Sequence, residues 1–253
     1  MEWKHNVSLD WMLARQQYLT ASEVKQLIPF TATGRPRKIT TEMYMRIYAK
    51  KLAKLDQDDC ASSGAAARGH LLEPYAIESF NKLTGVGLEH WDDVLVTTPY
   101  HVLAYSPDSL DIDCPKYTVE APDVTPTVMG EVKSYGADKH LECAMKMKGE
   151  LEERWQIATA MCVSPSIEKA YLILYNPDVD NPEAQLLAHE YSRADLAEEM
   201  KVVLEVEQNW LAFIRSNAVP ITKSFSATIH GPSSTRIEKI EKDIIRSYAI
   251  NPM

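Results

Sequence analysis

The sequence lacks any apolar run approaching the roughly 20 residues that a bilayer-spanning helix needs. Its first residues, Met-Glu-Trp-Lys-His, offer no apolar stretch of the kind a secretory signal carries. No membrane partner is expected, and the expected compartment is the cytoplasm. Cysteine is sparse and dispersed: Cys60, Cys114, Cys143 and Cys162 form no CxxC pair. That spacing argues against structural zinc or an iron–sulfur cluster, and a reducing compartment needs no disulfide. Internal repeats and low-complexity tracts are absent too, which removes solenoids and flexible linkers from consideration. The 253 residues fit one large domain, or a domain with an appended tail, and can bury a core without covalent staples.

The charge balance excludes less than it first suggests. A net charge of -9 is unusual for a protein that meets nucleic acid, but the charge is unevenly divided along the chain. Residues 1–54 hold ten Lys/Arg against four Asp/Glu, including Arg35, Arg37, Lys38, Arg46, Lys50, Lys51 and Lys54. A local basic surface can bind phosphates on an otherwise acidic molecule, although a solvated helix face explains the same residues equally well.

Turn residues and periodicity divide the rest. Trp11 to Leu27 reads as a lead-in followed by a helix capped at Thr20 or Ser22, and Thr31–Thr40 as a loop broken by Gly34 and Pro36. Helices are predicted over Thr41–Leu55 and Ser62–Leu83, the second interrupted or kinked at Pro74. Short β-rich runs follow at Val94–Thr97, Val102–Tyr105, Val128–Lys133 and Ala170–Tyr175, with a further strand at Leu187–Tyr191. A long helix is expected from about Asp138 to Val163, and another from Arg193 to Ser216. This order predicts an α/β (α+β) domain with a central mixed β-sheet flanked by helices over residues 1–220. Residues 221–253 read as a C-terminal extension with a helix near Ser234–Ser247.

The chemical signal is Ser106-Pro107-Asp108 followed by Glu131-Val132-Lys133. Three Pro-Asp pairs and four Glu-x-Lys triplets occur in the chain, so context must choose among them. Asp108 and Glu131 form the pairing in which a strand leads into each member. Alternation along a strand puts Glu131 and Lys133 on one face and Val132 on the other. Two carboxylates beside an ammonium suit a hard divalent cation, with Lys133 orienting or deprotonating a water. Near a metal its pKa is expected to fall. An ordinary strand-end ion pair is the competing reading. Glu73 would share a helix face with Ala76, Ile77 and Phe80, where a carboxylate is costly unless it is paired or bound to metal. Gln156 is a weaker candidate, since a surface amide fits its spacing as well.

Together, Trp11, Arg15, Thr20-Ala21-Ser22-Glu23, Gly69, Glu73, Ser106-Pro107-Asp108, Glu131-Val132-Lys133 and Gln156 resemble the lambda-type (YqaJ-like) viral and phage alkaline exonucleases. These belong to the PD-(D/E)xK superfamily, whose core is restriction-endonuclease-like. The resemblance covers about residues 8–215. It implies that Glu73, Asp108, Glu131 and the Val132 carbonyl hold one or two Mg²⁺ ions, with Mn²⁺ able to substitute. Lys133 and Gln156 would act at the water, and Arg15 and Ser22 would hold the 5′-phosphate of a DNA end. Arg35, Arg37 and Lys38 would line a DNA channel or its rim. By the same resemblance the activity is 5′→3′ digestion of double-stranded DNA to 5′-mononucleotides. It leaves a 3′ strand for a single-strand annealing protein, and the enzyme is a homotrimeric ring of phage or prophage origin acting in the host cell.

The chain departs from the family in three places. Ala66 stands where the lambda enzyme has an apolar wedge, the link Asp111–Thr127 is longer and reads as a surface loop, and the tail has no counterpart. A restriction-like or structure-specific endonuclease, or a catalytically silent DNA-end-binding protein, are the alternatives. The intact Asp108, Glu131 and Lys133 weigh against the silent protein.

Overall fold

The computed structural model describes residues 4–115, 118–122 and 124–226, with side chains to Asn217. The first half of the chain runs β1 (Lys4–Asn6), α1 (Leu9–Arg15), β2 (Leu19–Thr20), α2 (Ala21–Leu27), α3 (Thr41–Leu52), β3 (Ala61–Ser63) and α4 (Gly64–Thr84). Short strands follow: β4 (Glu89–His90), β5 (Leu95–Thr97), β6 (Leu103–Ala104), β7 (Ser109–Leu110) and β8 (Glu120–Pro122). The remainder is β9 (Val128–Lys133), α5 (Ala137–Met145), α6 (Arg154–Val163), β10 (Lys169–Tyr175), α7 (Pro182–Gln185), β11 (Leu186–Ser192) and α8 (Ala197–Ser226). None of the described helices is long and apolar enough to cross a membrane.

The main sheet has five strands in the order β11-β10-β9-β7-β4. β9 and β10 pair in parallel, with Leu172 opposite Glu131, and the other pairings are antiparallel. A parallel pair needs a crossover, and α5 and α6 supply it. The sheet's two faces are buried differently. Val132 and Ile173 point to α4, where Ala76, Ile77 and Phe80 cover them. Met129, Ala170, Leu172 and Leu174 point to the larger core, which contains α6 and the apolar side of α8. Helix α6 is buried around most of its circumference, which is why its sequence is apolar all round rather than striped.

The expected mixed sheet flanked by helices is the observed architecture. Four local expectations need correction. The long helix predicted over Asp138–Val163 is two helices separated by a 3-10 turn at Lys148–Glu150. The Lys148 carbonyl accepts from the Leu151 N–H that closes this turn and from the Tyr191 hydroxyl on β11 at 2.8 Å. Helix α4 runs through Pro74 uninterrupted, although proline there leaves the His70 carbonyl without its usual helical donor. The Asp111–Thr127 stretch contributes β8, paired with β5, and is not wholly a loop. Asp108 is carried to β9 by β7, which follows it, whereas β6 before it pairs with β2. Helix α8 spans the expected 220/221 boundary, and the helix expected near Ser234–Ser247 lies outside the described residues.

One glycine is required where β7 meets β9. A Cβ on Gly130 would lie 2.4 Å from Ser109 Oγ and 2.9 Å from Leu88 Cδ1, and Ser109 is fully buried. Gly130→Ala is therefore expected to destabilise the protein by about 1–3 kcal/mol through overpacking, read as a lower urea midpoint. An unchanged midpoint would mean that these strands do not pack in this register.

Candidate active site

The pairing of Ser109 with Gly130 and of Leu110 with Met129 fixes where Asp108 lies relative to Glu131. The Val132 N–H donates to Asp108 Oδ2 at 2.6 Å, locking the carboxylate against the neighbouring strand. Glu131 is 5% exposed, and its Oε1 accepts from Lys133 Nζ at 2.6 Å. The alternation read from the sequence holds, since Glu131 and Lys133 meet while Val132 enters the core beneath α4. Glu73 arrives from α4 on the face that buries Ala76, Ile77 and Phe80. Its Oε1 is 3.3 Å from His70 Nδ1, and its Oε2 is 3.6 Å from His90 Nε2 on β4.

The electrostatics of the cluster follow from crowding. Burial raises Asp108 well above the ordinary aspartate range, and the negative charges of Glu131 and Glu73 raise it further. Lys133 and the Val132 N–H pull it back only in part. Burial lowers Lys133, but Glu131, Asp108 and the Glu131 hydrogen bond outweigh it, so the group stays an ammonium. The protein groups alone thus move Lys133 upward, opposite to the fall expected beside a metal. Burial also raises Glu73, yet the contacts from His70 and His90 more than offset this and bring it down to about 2.

A cavity of about 540 Å³ gathers these groups, and Arg15, Ser22, Gln156 and Ala66 also line it. Arg15 Nη1 donates to Ser106 Oγ at 3.1 Å and Nη2 to Ser22 Oγ at 3.4 Å. Its guanidinium lies 4.3 Å from the centre of the Trp11 ring, whose Nε1 also donates to Ser106 Oγ. The expected basic loop is elsewhere. Arg35 and Lys38 are exposed and are not among the cavity residues. Arg37 donates to the carbonyls of Lys25, Gln26 and Ile28, where it caps the end of α2.

Sequence reading did not identify several partners. His70 stands three residues before Glu73, a helical neighbour that spacing alone would have found. His90 joins Glu73 only through the fold. Tyr135 also lines the cavity, and its hydroxyl donates to the buried Glu153 at 2.6 Å.

The donor set fits a hard divalent cation. Among the described residues no three His, Cys, Asp or Glu side chains already converge as ligands. Each carboxylate instead leans on a protein partner, namely the Val132 N–H, Lys133 or His70. Burial and then repulsion from Glu131 and Glu73 lift Asp108, penalties that a cation relieves, and carboxylate oxygens are the donors Mg²⁺ prefers.

The YqaJ-like viral recombinase domain matches residues 10–166, a span that includes Arg15, Ser22, Glu73, Asp108, Glu131, Lys133 and Gln156. The chain belongs to that family. This YqaJ-like chain shares its fold with the alkaline exonuclease LHK-Exo from Laribacter hongkongensis. The match has a TM-score of 0.60 at 20% identity, covering 85% of this chain and 99% of that one. LHK-Exo in complex with dAMP matches with a TM-score of 0.56 at 21% identity, over 83% and 98% of the two chains. No curated protein matches the sequence. The PD-(D/E)xK-like core expected from the sequence is the fold of this YqaJ-like domain.

The repulsion at Asp108 has a measurable consequence. A carboxyl whose folded pKa is raised holds its proton in the folded state after the unfolded chain has released it. Stability therefore falls as pH rises through 3.8, the ordinary aspartate value, and keeps falling until the folded group ionises. Asp108→Asn keeps an acceptor for the Val132 N–H and removes the charge. The metal-free variant is expected to gain about 1 kcal/mol near neutral pH, and the gain should vanish below pH 3.8. Urea unfolding at several pH values checks this, and a loss of stability at neutral pH would refute it.

Proposed function

We propose that this protein is a Mg²⁺-dependent 5′→3′ exonuclease that digests double-stranded DNA from its ends to 5′-mononucleotides. The observation that carries the reading is the double character of one cavity. It is lined both by the Glu73, Asp108, Glu131 and Lys133 group and by Arg15 with Ser22. Ser106 accepts from Arg15 and lies two residues before Asp108, so one short stretch of chain links the two halves. A terminal phosphate on Arg15 would set a nearby phosphodiester among the carboxylates. The family membership and the LHK-Exo fold support a nuclease.

Glu73, Asp108, Glu131 and the Val132 carbonyl would hold one or two Mg²⁺ ions. When bound, they would neutralise phosphate charge and lower the pKa of a water. The chain's own groups have separable tasks. Lys133, paired with Glu131, would orient the water and face the charge growing on the phosphoryl oxygens. Glu131 aims Lys133 through their 2.6 Å bond. Arg15 and Ser22 give the 5′-phosphate a guanidinium fork and a hydroxyl. Gln156, on the buried helix α6, contributes an amide to the same cavity. The homotrimeric ring, the annealing partner and a DNA-lining role for Arg35 and Lys38 rest on the family resemblance and belong to this proposal. So does the phage or prophage setting in a host cytoplasm.

Lys133→Ala is expected to reduce Mg²⁺-dependent nucleotide release by about 10²–10⁴-fold, measured on linear duplex DNA. Equal degradation by the variant would refute the mechanism. Covalently closed circular DNA should survive the wild-type protein, and its cleavage would favour the endonuclease reading instead. Arg15→Ala is expected to erase the preference for 5′-phosphorylated over 5′-hydroxyl ends. A preserved ratio of rates would remove Arg15 from end recognition.

A further inference from the structure

Lysine is rarely found inside a protein unless it is paired, yet Lys51, in the last turn of α3, is only 6% exposed. Its ammonium donates to the Arg15 carbonyl at 3.0 Å and to the Glu23 carboxylate. The same Glu23 oxygen accepts from the Thr20 N–H at 2.9 Å and the Thr20 hydroxyl at 2.8 Å. Glu23 adjoins Ser22, whose hydroxyl Arg15 touches. A carboxylate therefore sits one residue from the proposed phosphate site, next to the guanidinium meant to bind the phosphate. A guanidinium and a carboxylate so placed ordinarily close into a two-point ion pair, which occupies the fork that phosphate would use.

That pair does not form here. Among the described residues no carboxylate lies within ion-pair distance of Arg15, whose guanidinium donates to neutral hydroxyls, those of Ser106 and Ser22. The two carboxylates whose charge reaches Arg15 are Glu23 and Asp93, and each is engaged elsewhere. Lys51 holds Glu23, and the Ser8 N–H holds Asp93.

We propose that Lys51 is a positioning residue for DNA-end recognition: by holding Glu23, it keeps the Arg15 guanidinium free of carboxylates and available to a terminal phosphate. It also anchors the last residue of α1 through the Arg15 carbonyl, so backbone and side chain are aimed together. α3 belongs to the basic amino-terminal stretch, and a charge there sets the strength of a phosphate contact it does not itself make. The inference rests on Arg15 binding the 5′-phosphate.

The test is the ratio of kcat/KM for duplex DNA with 5′-phosphate over 5′-hydroxyl ends, with KM recorded separately, in the full chain with Mg²⁺. In Lys51→Met, Glu23 loses its counter-ion and captures Arg15. The ratio is expected to fall about tenfold or more, roughly the worth of one charge-assisted hydrogen bond, with the change mostly in KM. Glu23→Gln combined with Lys51→Met removes the competing carboxylate as well and should restore the ratio. Lys51→Arg, which keeps the cation, should preserve it. The proposal is overturned if Lys51→Met keeps the wild-type ratio, or if the double variant is as impaired as the single one. If Lys51→Met does not fold, the double variant alone decides: a wild-type ratio supports the proposal and a collapsed ratio overturns it. A wild-type protein with no preference for phosphate would instead overturn the assignment of Arg15, and this inference with it.

Discussion

The Val132 N–H donates to the Asp108 carboxylate across 24 residues of chain. That contact joins the segment after β6 to the strand bearing Glu131 and Lys133. The surrounding features make it possible. Gly130 lets β7 approach closely, and Ser109, buried against it, donates to the Gly130 carbonyl. α4 covers Val132 and thereby turns Glu131 and Lys133 to the opposite face. The closeness that positions Asp108 also forces it against Glu131 and Glu73, and one ammonium does not compensate that charge. A protein selected for stability alone would have no reason to keep three carboxylates there. On the proposed reading, a ligand of opposite charge would relieve both the burial penalty and the repulsion.

The cavity is built from two structural parts. Sheet strands and α4 carry the acidic half, whereas α1 and α2 carry the basic half. Ser106 joins them, because its hydroxyl accepts from both Trp11 and Arg15 while its chain leads into Asp108. Each half keeps its charges from collapsing onto the other. Lys133 is held by Glu131 and Lys51 by Glu23, so Arg15 stays with hydroxyl partners. The ion pairs are thus internal to each half, Lys133 with Glu131 in one and Lys51 with Glu23 in the other.

The legible parts of the sequence were those governed by local periodicity. β9 was read with its bounds, since a β-rich run between Pro126 and Gly136 has clear ends, and alternation gave its two faces. The 3.6-residue repeat placed Glu73 beside Ala76, Ile77 and Phe80. Contacts between distant residues stayed hidden. The tie between Tyr191 and the Lys148 carbonyl, at the turn that divides a helix spacing made continuous, spans 43 residues. Lys51 and Glu23 are 28 residues apart, and nothing in their spacing joined the basic stretch to the Thr20–Glu23 segment. Arg37 was read as part of a DNA-facing loop because sequence records its charge but not the carbonyls that receive it.

The parallel pairing of β9 with β10 also sets an order of assembly. β9 ends at Lys133 and β10 begins at Lys169, so the two strands register only after the intervening helices fold back. Such non-local pairings are slow to form, because the connecting chain loses its freedom before the contacts compensate. Every acidic residue of the cavity lies ahead of that crossover. A nascent chain emerging from the ribosome would therefore carry all these carboxylates before β10, the strand that flanks Glu131, is in place. On the proposed reading, nuclease activity is withheld until the fold is nearly complete, which spares nearby nucleic acid from a half-made enzyme.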